Sequence, residues 1–452
     1  MAAHPPSGLS SPPPAPEPSP PGPHHARGTA NAADFGVDPL GFLTRCAREY
    51  GDVVALTPAN VLIVHPDDIG RALVHRRGDV VKISAEQRPR GPTGFPLAMM
   101  NSEGASWERK RSRLRPAFRS DRLEGLDTIA REAVARTVDR WSDGATIDVH
   151  AEMSRLAMHI GAVHLAGRPL GAEADALADA VAAIMRLTGS PIRLPGWLPS
   201  PTGIRLRRAL RALDTALAAL IEGHPADDTV TALGRLVAER ADTPFAEIRD
   251  ELATLLMSGY ETTADALTWL VHGLGGRPEA DALLAADARD HGAAASGAGG
   301  TGGANGPGGY AAAAAKEALR LYPPAWVISR VAVRPIELGG YRLAAGTTIG
   351  ISQWVTHRDE RWFDAPAEFR PERWLRQGAP GHRYAYLPFG AGPRGCLGAS
   401  MAVREIEAVA RALRSRVRLE PVAPGQVRPR PALALQPCGV RATVRRERAA
   451  PR

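Results

Sequence analysis

The chain has 452 residues, 44% of them apolar and only 5% aromatic, with a formal charge of +8. That length alone suggests two or three average domains, and a charge so mild for the length is no nucleic-acid signature. Three cysteines (Cys46, Cys396 and Cys438) without paired spacing exclude a disulfide framework and a zinc cluster, and no run of about 18 apolar residues offers a membrane span, so a soluble cytoplasmic protein is expected.

Residues 1–28 are rich in Pro, Ser and His and lack the apolar stretch of a signal peptide. They read as a disordered tail, with order beginning near Asp38-Pro39-Leu40. Residues 52–64 carry two β-branched and apolar runs around Pro58-Ala59-Asn60, the pattern of a β-hairpin. From Asp121 to about Arg240 the chain is Ala-, Leu- and Arg-rich with helical periodicity, interrupted by the proline-stiffened stretch 190–201. Thr243 and Pro244 supply the cap and first position of a long helix that ends at Gly275-Gly276. At 1.5 Å per residue it spans roughly 45 Å. Residues 291–309 are a Gly/Ala-rich surface insertion, followed by a helix over about 310–322 that stops at Pro323-Pro324. Short strands follow over 327–350, then a Gly-rich loop at 388–398 and a helix over about 399–415. The fold class is mainly α with a minor β part.

The loop Phe389-Gly390-Ala391-Gly392-Pro393-Arg394-Gly395-Cys396-Leu397-Gly398 carries the strongest chemical signal. A lone cysteine is ordinarily a small buried hydrophobe. Here four glycines let the backbone approach a flat ligand and aim amides at the sulfur. The helix that follows, and the cation of Arg394, favour a thiolate and lower the sulfur's pKa. This loop resembles the haem-binding signature of cytochromes P450, Phe-x-x-Gly-x-Arg-x-Cys-x-Gly, at every fixed position. The resemblance implies a single P450-fold domain over residues 29–452, with b-type haem held between the long distal helix and the proximal loop. Cys396 would be the iron ligand, and Phe389, Arg394 and Gly398 would contact the cofactor.

Three further motifs resemble the same family. Glu317 and Arg320, three apart on one helix face, precede Phe369-Arg370-Pro371-Glu372-Arg373-Trp374. Alone they would be a surface pair. The resemblance makes Glu317, Arg320 and Arg373 a buried charge triad that locks the cysteine loop. Ser258-Gly259-Tyr260-Glu261-Thr262-Thr263, in the middle of the long helix, contains weak helix formers, which suggests a local distortion, or a hydroxyl competing for a backbone carbonyl, that opens room for O2 and water. By resemblance Glu261 and Thr262 are the acid–alcohol pair that delivers protons. Ser258 stands where alanine or glycine is usual, and Tyr260 where many relatives have histidine. Trp107 and Arg111 share a helix face. The resemblance gives them, with Arg330 and Arg394, to the haem propionates. It also places Arg109, Lys110, Arg113 and Arg115 on a basic proximal face for an acidic ferredoxin or flavodoxin.

About 55 residues follow Cys396, and none reads as a flavin or iron–sulfur domain. Electrons would then come from NAD(P)H through separate partners. The implied reaction is insertion of one oxygen atom of O2 into a lipophilic small molecule. The pocket would draw on 84–101 (Phe95, Leu97, Met99 and Met100), the 185–201 loop, Leu255 and Ser258, and 325–329 including Val327. Those apolar residues suit a terpene, fatty acid or polyketide. Trp197-Leu198-Pro199 and the run Leu319–Trp326 resemble bacterial P450s close to the eukaryotic type, several of which oxidise terpenes or fatty acids. A peroxide-using peroxygenase and a non-catalytic haem sensor are the alternatives, and the acid–alcohol pair speaks against both.

Overall fold

The computed structural model describes residues 19–23, 29–74, 78–82, 95–168, 177, 179–181, 183–184, 200–225, 227–295, 309–376 and 381–447. Helices dominate: α1 (Thr29–Val37), α2 (Pro39–Tyr50), α3 (Pro66–Val74), α4 (Gly104–Leu114), α5 (Leu126–Asp139), α6 (Val149–Ala166), α7 (Pro201–Glu222), α8 (Ala232–Ala238), α9 (Phe245–Leu274), α10 (Pro278–Ala295), α11 (Gly309–Leu321), α12 (Gln353–Thr356), α13 (Glu372–Arg376) and α14 (Ala399–Arg414). Short polar side chains fix several of their starts. Asp38, Asp148, Ser200 and Thr231 each accept a hydrogen bond from an amide three residues on, as N-caps do. The cap of α9 falls one residue later than expected. Pro244 itself is extended (φ −56°, ψ 138°), and its carbonyl accepts from the Glu247 and Ile248 amides, so the helix starts at Phe245.

The expected hairpin is present as β1 (Val53–Thr57) and β2 (Asn60–Ile63), antiparallel with Val53 opposite Ile63. With β3 (Val80–Val81), β5 (Ile328–Ala332) and β8 (Thr348–Ile351) it forms a five-stranded sheet in the order β1-β2-β8-β5-β3. Strand β8 runs parallel to β2, the one parallel pairing in this sheet among the described residues. Strands β4 (Thr146–Asp148), β9 (Val417–Val422) and β12 (Arg441–Arg446) make a second sheet. The pairs β6–β7 (Ile336–Leu338, Tyr341–Leu343) and β10–β11 (Arg428–Pro431, Leu435–Cys438) are small hairpins.

The main apolar core is built from α5, α6, α9, α11 and α14. Trp269 of α9 is wholly buried, stacks on Tyr322 at 3.9 Å between centroids, and donates to the Leu435 carbonyl (3.0 Å). This ties the long helix to the β10–β11 hairpin. Residues 19–23, expected in the tail, instead lie along β1. The Ala55 amide donates to the Pro21 carbonyl (2.8 Å), and Asn31 Nδ2 donates to the carbonyls of Pro23 (3.1 Å) and Leu56 (2.9 Å). A proline-rich segment cannot pack a core, but its carbonyls can still pair with a sheet edge. Residues 291–295 close α10 and Gly309 opens α11; 296–308 lie outside the described residues, as do 1–18, 83–94 and 185–199. No helix among the described residues is long and apolar enough to cross a membrane.

Candidate active site

The loop before α14 is held by its own backbone. The Cys396 amide donates to the Phe389 carbonyl (2.9 Å), and the short 3-10 turn Gly392–Arg394 closes the bend between them. Gly392 has φ +70°, and a Cβ there would collide with the Leu73 carbonyl at the end of α3. That glycine serves packing against α3. Gly398, in contrast, has an ordinary φ of −90° and caps α14. Cys396 keeps an accessible surface while lying deep in the protein, the situation of a side chain at the floor of a recess. Burial pushes its thiol up. The Gly398 amide and the Arg111 guanidinium pull the other way without overturning burial. The lowered pKa expected from the loop is therefore corrected: protein groups alone do not supply it.

Beside the loop four cations converge. Arg111 donates to the Gly395 carbonyl (2.9 Å). The Trp107 ring has the Arg394 guanidinium 4.3 Å and that of Arg111 5.7 Å from its centroid. Arg394 donates to the Ser102 carbonyl (2.7 Å) and pairs closely with Glu103. Arg330, buried on β5, is pulled down to about 10 by burial and then by repulsion from Arg394. Lys82 falls to about 8 by burial and by repulsion from Arg394 and Arg330. Glu103 is the carboxylate that opposes both shifts. Lys82 and Glu103 belong to no sequence motif, and only the convergence of β3, α4 and β5 brings them here.

Across the fold, Leu255, Ser258, Gly259 and Thr262 share one face of α9. Ser258 and Gly259 are exposed, and Leu255 and Thr262 half-buried. Of the two expected readings the helix shows the second: it is unbroken here, and the Thr262 and Thr263 hydroxyls donate to the carbonyls of Ser258 and Gly259, both at 2.7 Å. Glu261 is on a different side, roughly 100° round the helix from its neighbour. Its carboxylate is buried and accepts from Gln436 Nε2 (2.6 Å). The structure thus separates the acid from the alcohol.

Of the expected pocket residues, Leu97 and Met100 are exposed and Met99 half-buried. Phe95 is buried in the main core, and Val327 packs on the cluster around Trp326.

The triad forms as expected. Glu317 accepts from Arg320 Nε and Nη2 (2.9 and 2.8 Å), from Arg373 Nε (3.1 Å), from Trp374 Nε1 (2.9 Å) and from the Arg370 amide (2.9 Å). Arg320 also donates to the carbonyls of His357, Pro366 and Glu368. His357 in turn accepts from the Leu387 amide (2.9 Å), two residues before Phe389. That path links the triad to the cysteine loop.

The sequence profile of the family described as Cytochrome P450 matches residues 18–439. The chain belongs to the cytochrome P450 family. It is 32% identical to "Cyclooctatin synthase" of Streptomyces melanosporofaciens over 415 residues, covering 88% of this chain and 89% of that one. It is also 32% identical to "Pentalenene oxygenase" of Streptomyces avermitilis over 305 residues, 64% of this chain and 66% of that protein. Among solved structures, CYP175A1 from Thermus thermophilus superposes with a TM-score of 0.73 at 29% identity, covering 94% of this chain and all of that one. As a P450 the chain is an oxidoreductase of the monooxygenase type, and the family implies a haem iron.

The residues of this P450 fit that group. A recessed cysteine offers a soft sulfur donor. The cations Lys82, Arg111, Arg330 and Arg394 outnumber the nearby Glu103, and burial and mutual repulsion make them costly without anionic partners. Two carboxylates, such as haem propionates, would offset that cost.

The expected basic face needs correction. Lys110 is buried, donates to the Leu97 carbonyl, and lies 3.4 Å from Glu247 and 3.8 Å from Glu251. Arg113 is buried against Glu239 (3.1 Å) and Glu247 (3.5 Å). These two point inward at the start of α9, three apart on one face of α4, and only Arg109 and Arg115 remain exposed.

Proposed function

We propose that this P450 is a haem b monooxygenase that inserts one atom of O2 into a lipophilic terpene-class molecule, with electrons from NAD(P)H relayed by a separate ferredoxin or flavodoxin. The observation that carries the reading is the pairing of a recessed Cys396, beside a surplus of half-buried and buried cations, with a long helix that leaves Ser258 and Gly259 exposed and Thr262 half-buried. Cys396 would ligate the iron, and Trp107, Arg111, Arg330, Arg394 and Lys82 would hold the propionates. Bound there, haem supplies the redox chemistry of O2, and a thiolate ligand favours O–O cleavage.

The chain's own residues do the rest. The Thr262 hydroxyl, which donates to the Ser258 carbonyl at rest, offers a proton on the open face. Glu261, the next residue back along α9, is the nearest carboxyl to it in the chain. Leu255 and Met99 supply apolar wall, while Ser258 adds one hydroxyl able to orient an oxygenated substrate. The terpene class rests on relatives named for pentalenene oxidation and for 5-monooxygenation of cyclooctat-9-en-7-ol, the latter 29% identical over 405 residues. Arg109 and Arg115 would meet an acidic electron donor.

The test is spectroscopic. The dithionite-reduced holoprotein with carbon monoxide should show the strongly red-shifted Soret band of thiolate-bound haem. Cyclic terpene hydrocarbons and alcohols, pentalenene among them, should shift the ferric spin state more strongly than fatty acids of equal carbon number. A Soret band of histidine-bound haem sinks the ligand assignment, and a preference for fatty acids sinks the terpene assignment.

A further inference from the structure

Behind the open face of α9 lies a second polar cluster. Asp265 follows Glu261 by one turn, so the two carboxylates share a helix face. Asp265 is fully buried, and His150 Nε2, from the first turn of α6, is 3.0 Å from its Oδ1. One oxygen or nitrogen each from His150, Glu261 and Asp265 lie within 4.8 Å of one another. Among the described residues, Asp265 Oδ2 has no hydrogen-bond partner despite its burial. Around the cluster stand Gln436 of β11, bonded to Glu261, Arg430 of β10, which donates to Gln436 Oε1 (3.1 Å), and Asp148, the cap of α6. Of the three members only His150 reaches solvent, with 28% of its side chain exposed.

Two buried carboxylates this close cannot both ionise cheaply. Burial pushes Asp265 up to about 7, with Glu261 adding to the rise and His150 opposing it. Burial alone would discharge His150, but its hydrogen bond to Asp265 and that carboxylate's charge outweigh burial and raise it. The cluster therefore holds a proton near neutrality and has one end in water, which a purely structural pin would not need.

We propose that His150 and Asp265 form a proton relay that resupplies Glu261 from solvent. The inference rests on the reading of Glu261 and Thr262 as the proton source. Each O2 converted, O2 + R–H + 2H⁺ + 2e⁻ → R–OH + H2O, consumes two protons, and its two electrons come from the reduced ferredoxin or flavodoxin. In the relay step the His150 Nε2–H bond breaks as an Asp265 O–H forms, and bulk water reprotonates the imidazole. The Asp265 O–H then breaks as a Glu261 O–H forms, and Glu261 leaves Gln436 to pass its proton to the Thr262 oxygen as the original Thr262 O–H breaks and its proton leaves on the open face. His150 and Asp265 are positioning residues here, since neither meets the open face of α9.

The test uses the holoprotein with NADPH, a plant-type ferredoxin at saturation and its reductase, with O2 as the probe. His150→Gln and Asp265→Asn should each slow O2 reduction ~10-fold or more and enlarge the solvent deuterium isotope effect. Both should flatten the alkaline fall in rate that follows from deprotonating the pair, and Asp265→Glu should recover part of the rate. Wild-type rate, isotope effect and pH profile in His150→Gln and Asp265→Asn overturn the relay. If Glu261→Gln and Thr262→Ala change the peroxide yield while those two variants change nothing, the relay fails and the underlying proton-source reading stands. If all four are silent, that reading fails as well. Should Asp265→Asn lose haem, His150→Gln, at the half-exposed end, decides alone.

Discussion

Arg320→Lys tests how the cysteine loop is held. All the guanidinium hydrogens of Arg320 are engaged. Nε and Nη2 bind Glu317, Nη2 also reaches the Glu368 carbonyl (3.0 Å), and Nη1 reaches those of His357 and Pro366 (both 2.8 Å). The side chain is wholly buried, with its guanidinium 5.1 Å from the Phe363 ring centroid. Lysine keeps the charge but brings three donors where arginine brings five, so at least two of these acceptors lose a partner. At about 1–3 kcal/mol for each buried group left unpaired, the variant should lose roughly 2–6 kcal/mol. That is a large fraction of the ~5–15 kcal/mol available to a native domain. Because His357 links this network to Leu387, the loss should show first as faster decay of the thiolate–CO band under mild urea, before global unfolding seen by circular dichroism. Stability within about 0.5 kcal/mol of the parent and unchanged haem retention would refute the argument that this network holds the loop.

Three other outcomes are expected. Glu405 on α14 is buried without a compensating charge among the described residues, and burial raises its pKa to about 8. The native state keeps its proton where the unfolded chain has lost it, so wild-type stability falls as pH rises from the ordinary carboxylate range to about 8 and then levels. Glu405→Gln should therefore gain in relative stability over that window, read from urea midpoints at several pH values, and a pH-independent difference contradicts the assignment. Reversing Arg109 and Arg115 to Glu should slow ferredoxin-driven turnover about tenfold at low salt and spare peroxide-driven turnover. Arg113→Glu should impair both by removing the cation beside Glu239 and setting a further acid against Glu247, and the opposite pattern would restore Arg113 to the donor face. Cys396→Ser should abolish the red-shifted CO band, and its persistence would exclude Cys396 as ligand.

Local pattern carried far where the relevant contacts are local or the motif is dense. The hairpin at 53–63, the long helix and the Cys396 loop were legible because turn residues, periodicity and glycine spacing are properties of neighbours in the chain. The charge triad was legible from its motif, although nothing in the sequence around Glu317 announces Trp374 Nε1 or the Arg370 amide as further donors. What failed was the sign of exposure. Arg109, Lys110, Arg113 and Arg115 read as one solvated run, yet α4 turns two of them onto acids of α8–α9 that lie more than a hundred residues away in sequence. A basic run does not reveal which of its members face complementary acids until the packing partner is known.

The same limit explains the separation of Glu261 from Thr262. Adjacent residues on a helix point in different directions, so an acid–alcohol dipeptide cannot present both groups to one pocket without a side-chain movement. The sequence motif records adjacency, whereas proton supply requires continuity through space. In this fold that continuity runs from Glu261 to Asp265 and His150, contributed by the next turn of α9 and by α6. The long helix therefore has two chemical sides. The Ser258–Thr262 side is open and has hydroxyls, while the Glu261–Asp265 side is buried, has carboxylates and leads to water. Replacing either side should fail differently, the first in how electrons are partitioned between product and peroxide, the second in how fast protons arrive.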